Sequence, residues 1–211
     1  MTVDDDGTTI TRAGRGALAV TTTTADGVAV RAVCAHLKSK LLTFPGGRFD
    51  TRDEDERARH GVYALIRRAA EAAMLRAWAS AALAGAWAGR PVVVCGDLND
   101  TLDAATTQLL YGPSGSQYGT GGYGRPDRGD DQRLWATGHA MTAPDDWSRI
   151  NQGRAELIDH VLVSHALAEH LTTARTVPLE VPSIGVQPQA SPRAAGRPPS
   201  DHRPVLARFA L

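Results

Sequence analysis

Apolar residues recur along this chain with two distinct periods. Ala17 to Thr23 and Val28 to His36 alternate apolar and polar positions around Ala25-Asp26-Gly27, which predicts two strands joined by a turn. In the second strand the period of two sets Val28, Val30, Ala32, Cys34 and His36 on one face, with His36 at its end. From Asp53 the pattern becomes helical. Asp53-Glu-Asp-Glu56 supplies negative charge for a helix start, and Val62, Leu65, Ile66, Ala69 and Ala73 fall on one stripe of an Ala-rich segment. This predicts a long packing helix ending near Gly85 or Gly89, with its Arg residues on a solvated face. Val92 to Cys95 then form a continuous β-branched run, expected as a strand buried on both faces, with Pro91 at its first position. A short helix near Asp103 to Leu110 and strands at Ile158 to Ser164 and Val205 to Leu211 complete the regular elements. The strand-helix-strand order argues for α/β layering.

Between these elements the pattern lapses. Residues 1 to 15 read as a loose lead-in, so the predicted domain covers 16 to 211. Residues 112 to 130 are crowded with Gly, Tyr, Ser and Asp, but no Gly-Lys-Ser/Thr ending follows, so a mobile surface loop is expected in place of a phosphate cradle. Tyr118 and Tyr123 could contact a substrate there, though exposed loop tyrosines are common. Residues 178 to 199 are Pro-rich and read as a long irregular loop.

Composition narrows the class. With 42% hydrophobic and 22% charged residues in 211, this is ordinary globular material, enough for one domain with a sizeable core. The 23 basic and 23 acidic residues cancel, so the basic footprint of tight, sequence-blind nucleic-acid binding is missing, which weakens such a substrate without removing it. Cys34 and Cys95 lie inside apparent strands and are expected as small buried hydrophobes. No apolar run reaches the ~20 residues of a membrane span. Met1-Thr-Val-Asp-Asp-Asp6 lacks the basic and apolar regions of a signal peptide, which makes a cytoplasmic location the default expectation, with secretion possible only if a segment precedes it.

The sharpest chemical signal is Pro91-Val-Val-Val-Cys-Gly-Asp-Leu-Asn-Asp100, which turns from apolar to polar within a few residues. Gly96 permits a sharp turn, so Asp97 and Asn99 are expected at the carboxyl end of a central strand, where open α/β sheets bind ligands. One can hold or deprotonate a water while the other donates to a phosphoryl oxygen. The same pair is also a common turn and cap former, and Asp100 and Asp103 suit the start of the following helix. A calcium loop is excluded, because Thr101 and Leu102 stand where an oxygen ligand and Gly are needed. His36, followed by Lys38 and Lys40, suits a local positive pocket for phosphate. Asp159 and His160 are strand neighbours pointing to opposite faces, so at most one enters a given site.

Together His36-Leu-Lys-Ser-Lys40, Gly96-Asp-Leu-Asn-Asp100, Ile158-Asp-His-Val-Leu-Val-Ser164 and Ser200-Asp-His-Arg-Pro-Val205, each at a strand end, resemble the endonuclease/exonuclease/phosphatase superfamily. The resemblance covers about Ala17 to Leu211. It implies an α/β (α+β) fold, a four-layer sandwich of two packed mixed β-sheets flanked by helices, and hydrolysis of phosphodiester bonds with Mg²⁺ or Mn²⁺. By motif, Asp97 would orient or deprotonate the attacking water, Asn99 would hold a phosphoryl oxygen, and His202 would contact the phosphate or relay a proton. Asp159 would fix the His202 tautomer, Asp201 would ligate or position the metal, and His36 would sit near the leaving group and act as acid. The substrate would be a phosphodiester, with DNA, RNA, phospholipid head groups and metabolites as candidates.

Family domains also open with a strand Asn and a Gln-Glu segment carrying the main metal ligand, neither of which is found here. The resemblance therefore implies a partial domain with its N-terminal strands missing, a reduced metal cage and a bare sheet edge. The alternative reading is an inactive family member retained as a binding module. A zinc hydrolase is disfavoured, because no His-x-x-x-His or Cys-x-x-Cys spacing occurs.

Overall fold

The computed structural model describes residues 11–85, 90–112, 115, 117–122, 125, 132–178 and 200–211. Tyr123 and most of the Pro-rich stretch lie outside the described residues. The first hairpin forms as expected: β1 (Leu18–Thr23) pairs antiparallel with β2 (Ala29–Cys34), and Gly27 at φ 83° supplies the left-handed turn position. After it, α1 (Glu54–Leu83) is capped by Asp53, whose carboxylate accepts from the Asp55 and Glu56 amides. β3 (Val92–Asp97) then pairs parallel with β2. The long helix is the crossover that a parallel pair requires.

On the far side of β3 the sheet continues antiparallel through β7 (Asp159–Ser164) to β4 (Leu134–Ala136), giving the order β1-β2-β3-β7-β4. Two ribbons stand apart from it, β5 (Arg149–Asn151) with β6 (Arg154–Glu156), and β8 (Leu171–Thr176) with β9 (Val205–Phe209). Two short helices, α2 (Ala105–Gln108) and α3 (His165–Ala168), and two 3₁₀ turns at Pro45–Gly47 and Thr137–Ala140 complete the described elements. The mixed α+β architecture is as expected. Among the described residues the second sheet is represented by the β8–β9 ribbon.

Register assigns the two faces. Val33, Val94, Leu162 and Ala136 align across four strands and pack with Ala72, Leu75, Ala79 and Leu83 of α1 in the main core. On the other face, Trp135, Val163, Leu167 and Ala168 are covered with help from Val93, Val161 and Phe209. That cover stops short of β1, where Leu18 is 67% and Val20 47% exposed. Cys34 shares this open region and is exposed, while Cys95 beside it is half-buried. The expectation of two buried cysteines fails, because burial depends on what lies over the strand and not only on the strand's composition.

The helical stripe also differs from expectation. Val62 and Leu65 are exposed, whereas Ala64, Arg68, Glu71, Ala72, Leu75, Ala79, Ala82 and Leu83 are buried. Charged Arg68 and Glu71 sit on the inward face, which rotates the buried stripe away from the hydrophobic one. α2 begins after Ala104 with no side-chain cap, so Asp100 and Asp103 do not start it. Trimming Leu75 to Ala is expected to cost about 2–5 kcal/mol through the cavity it leaves.

Gly96 adopts φ 130°, and a Cβ built there would lie 1.9 Å from the Ala35 carbonyl oxygen. Gly96→Ala is therefore expected to lower unfolding free energy by at least about 3 kcal/mol in urea titration. Gly61→Ala in α1 meets nothing within 4 Å and is expected to raise it by roughly 0.5–1 kcal/mol.

Candidate active site

The backbone ladder continues past the strand ends. Ala35 N donates to Cys95 O at 2.9 Å and Leu37 N to Asp97 O at 3.0 Å, so His36 arrives beside Asp97. Its Nε2 lies 3.2 Å from Asp97 Oδ2. The other carboxylate oxygen, Oδ1, accepts from the Asn99 amide at 2.8 Å. Asn99 occupies the left-handed region at φ 56°, which Asn tolerates, and its Nδ2 donates to Leu37 O at 3.0 Å. The turn thus ties the end of β3 to the loop after β2.

Across the antiparallel ladder Asp97 pairs directly with Asp159. Their neighbours Gly96 and His160 fall on the opposite face, where His160 is buried with its Nε2 2.8 Å from Asp100 O. Strand parity thus admits Asp159 to the site and excludes His160. Asp159 Oδ2 is 2.7 Å from His202 Nδ1. Ligand atoms of Asp97, Asp159 and His202 all lie within 4.8 Å of one another. His36, Asp97, Asp159 and His202 are thereby brought together, with Asn99 beneath them. Asp201 is exposed and is not one of this three-residue cluster.

The lysines behave differently from expectation. Lys38 Nζ donates to Leu41 O at 2.7 Å, and Lys40 Nζ is 2.8 Å from Asp100 Oδ1. Neither supplies an uncommitted charge, because local carbonyls and a buried carboxylate capture both. Asp100 also receives Arg68 Nε at 3.0 Å and Thr106 Oγ1 at 2.7 Å. Glu71 accepts the Lys38 amide at 2.6 Å and the Gly14 amide at 2.8 Å, while Arg68 donates to Lys38 O at 3.2 Å. These two helix residues hold the loop that follows His36. Their signal in the sequence was only a charged pair three apart on a helix, indistinguishable from a solvated face.

Tyr118 is not brought to the site: it packs beside α3, at the end of β7 opposite Asp159, with its hydroxyl 3.2 Å from Ala168 O. Arg203 stacks over Trp147 with 3.4 Å from guanidinium carbon to ring centroid.

Electrostatics separate the titratable groups. Burial, then the adjacent Asp159 carboxylate, push Asp97 up from the usual carboxylate range, against the Asn99 amide and His36. Burial also pushes His36 down, with Asp97 opposing. The hydrogen bond that His202 donates to Asp159 pushes His202 up, opposed by burial and helped by the charges of Asp159, Asp97 and Asp201. Burial pushes Asp100 up, but its bonds to Lys40 and Thr106 and the charge of Arg68 prevail and hold it low.

A raised histidine binds its proton more tightly folded than unfolded. Its contribution to stability is complete below the unfolded value of about 6.5 and is lost as pH rises through the folded value. The stability of the native sequence relative to His202→Gln, measured by denaturant titration from pH 5 to 9, is expected to be greatest at or below about pH 6.5 and to shrink as pH rises.

The chain matches the Endonuclease/Exonuclease/phosphatase family over residues 3–202. No curated protein sequence matches it. Among solved structures it is similar to the 3′ phosphatase NExo from Neisseria bound to product DNA hairpin, with 18% identity, 92% of this chain and 65% of that one covered, and a TM-score of 0.47. The 3′-5′ exonuclease NExo from Neisseria meningitidis gives the same values. Sphingomyelinase C from Streptomyces griseocarneus is 17% identical over 90% of this chain and 56% of its own, with a TM-score of 0.37. The chain thus spans less than two thirds of the length of these structures. No helix among the described residues is long and apolar enough to cross a membrane. With the match running through the first three motifs and into the fourth as far as His202, the chain belongs to the Endonuclease/Exonuclease/phosphatase family.

Proposed function

We propose that the chain is a divalent-metal-dependent phosphoesterase that hydrolyses a phosphodiester by in-line attack of an activated water. The observation that carries this reading is the convergence of Asp97, Asp159 and His202 within 4.8 Å at one end of the sheet, with His36 against Asp97. Two carboxylates directly opposed across an antiparallel pair destabilise the sheet unless positive charge meets them. Hard oxygen donors fit Mg²⁺ or Mn²⁺, and the Asp97 and Asp159 carboxylates would hold the ion, with the His202 imidazole beside it. Bound there, the ion would supply Lewis-acid stabilisation of charge developing on the phosphoryl oxygens. Asp201, exposed and outside the cluster, acts in this reading through its charge on His202 and not as a ligand.

The protein groups divide the remaining work. Asp97 orients the attacking water and takes its proton. His36, kept neutral by burial, donates Nε2–H to Asp97 and orients it, which suits it less to protonating a leaving group. His202, whose proton Asp159 stabilises, donates to the phosphoryl or leaving-group oxygen. Asn99 has one amide N–H on Leu37 O and offers the other to a phosphoryl oxygen.

The test is hydrolysis of bis-p-nitrophenyl phosphate by the purified chain with Mg²⁺ or Mn²⁺. Turnover is expected to stop in EDTA and to fall by at least about 100-fold in Asp97→Ala and His202→Gln. A chain that is folded by circular dichroism and shows no metal-dependent turnover would overturn this reading in favour of a non-catalytic binding module.

A further inference from the structure

Ser148 precedes β5 and is fully buried, at 0% exposure. Its Oγ accepts two backbone amides, Ile158 N at 3.1 Å and Asp159 N at 3.2 Å. Its own amide donates to Glu156 O at 2.9 Å, and its carbonyl accepts Arg203 N at 2.7 Å. The next residue, Arg149, forms a backbone bridge with His202. One residue therefore holds the first residue of β7 through its side chain and the residue after His202 through its backbone.

That arrangement answers a geometric problem. Asp159 and His202 stand 43 positions apart and on different elements, yet their side chains meet at 2.7 Å. Strand pairing fixes Asp159 against Asp97, but nothing in the β3–β7 register fixes the approach of the segment carrying His202. The β8–β9 pairing begins at Val205, beyond it.

We infer that Ser148 is the positioning residue of the Asp159–His202 pair, clasping both partners' backbones so that the carboxylate meets Nδ1. The inference rests on the proposed roles of Asp159 and His202, but its geometry can be checked without turnover. Ser148 touches neither substrate nor reacting atoms, and its effect passes through Asp159 and His202.

The control lies at the other end of β7. Ser164 is equally buried, and its Oγ accepts Val92 N at 3.0 Å and donates to Arg90 O at 2.9 Å, far along the strand from Asp159. Ser148→Ala and Ser164→Ala each delete one buried hydroxyl that joins segments, so both are expected to lower Tm.

The discriminating readout is the His202 Nδ1–H proton resonance in protein with ¹⁵N-labelled histidine, assigned by its disappearance in His202→Gln. It is expected far downfield in the native sequence and in Ser164→Ala, and lost or shifted upfield in Ser148→Ala. Retention of the native resonance in Ser148→Ala would overturn the inference, whatever the loss of Tm. Where turnover is present, Ser148→Ala is also expected to lower kcat about 10–100-fold with little change in KM, and Ser164→Ala to leave both near native values.

If Ser148→Ala does not fold, hydrogen exchange on the unaltered chain decides. The Ile158 and Asp159 amides are expected to exchange as slowly as those in the middle of β7, and exchange at loop rates would overturn the clasp.

Discussion

The hydrogen-bonded ladder along both edges of β3 is the constraint on which the site depends. β2 lies parallel on one side and β7 antiparallel on the other, and both ladders run on past Cys95, to Leu37 and to Ile158. Three segments remote in sequence therefore end at one place with their pleats in phase. His36, Asp97 and Asp159 share a face because each belongs to the pleat aligned with the others, not because of any attraction between their side chains. Gly96 makes this approach possible, since any side chain there would meet the Ala35 carbonyl.

Having brought two carboxylates together, the fold meets them with imidazoles. Asp159 faces His202 and Asp97 faces His36, so each acid has one imidazole partner. The two pairs differ in their surroundings. Burial dominates at His36 and lowers it, whereas the hydrogen bond dominates at His202 and raises it. Titratable groups whose environments push them apart are what acid and base roles require.

Beneath the site lies a second charged layer that does no chemistry in this reading. Arg68 and Glu71 reach from α1 to the backbone of Lys38, and Arg68 also meets Asp100. Removing one partner of such a buried pair strands the other charge, at a cost of about 3–5 kcal/mol. The layer fixes the loop after His36 to the helix. It also consumes the local basic residues, leaving Lys40 on Asp100 and Lys38 on a backbone carbonyl.

Five of the nine described strands, the helix start at Asp53 and the four motifs were legible in the sequence, because alternation, capping and the Gly-Asp-Leu-Asn turn are local effects written within a few residues; β4, β5, β6 and β8 were not. Parity along Asp159-His160 was legible too, and the motif resemblance pointed to Asp159 as the one facing the site. Invisible were the inward turn of Arg68 and Glu71, the capture of both lysines and the exposure of Cys34. Apart from Lys38, captured by a carbonyl three positions on, each depends on a partner 30 or more positions away or on what covers a sheet face, so residue type alone points the wrong way. Residue type and local pattern were enough to mark which residues could carry phosphoester chemistry and that each stands at a strand end. That Asp201 stays outside the cluster and that Ser148 bonds to both Asp159 and Arg203 came from the fold alone, because these follow from register and backbone pairing between distant segments.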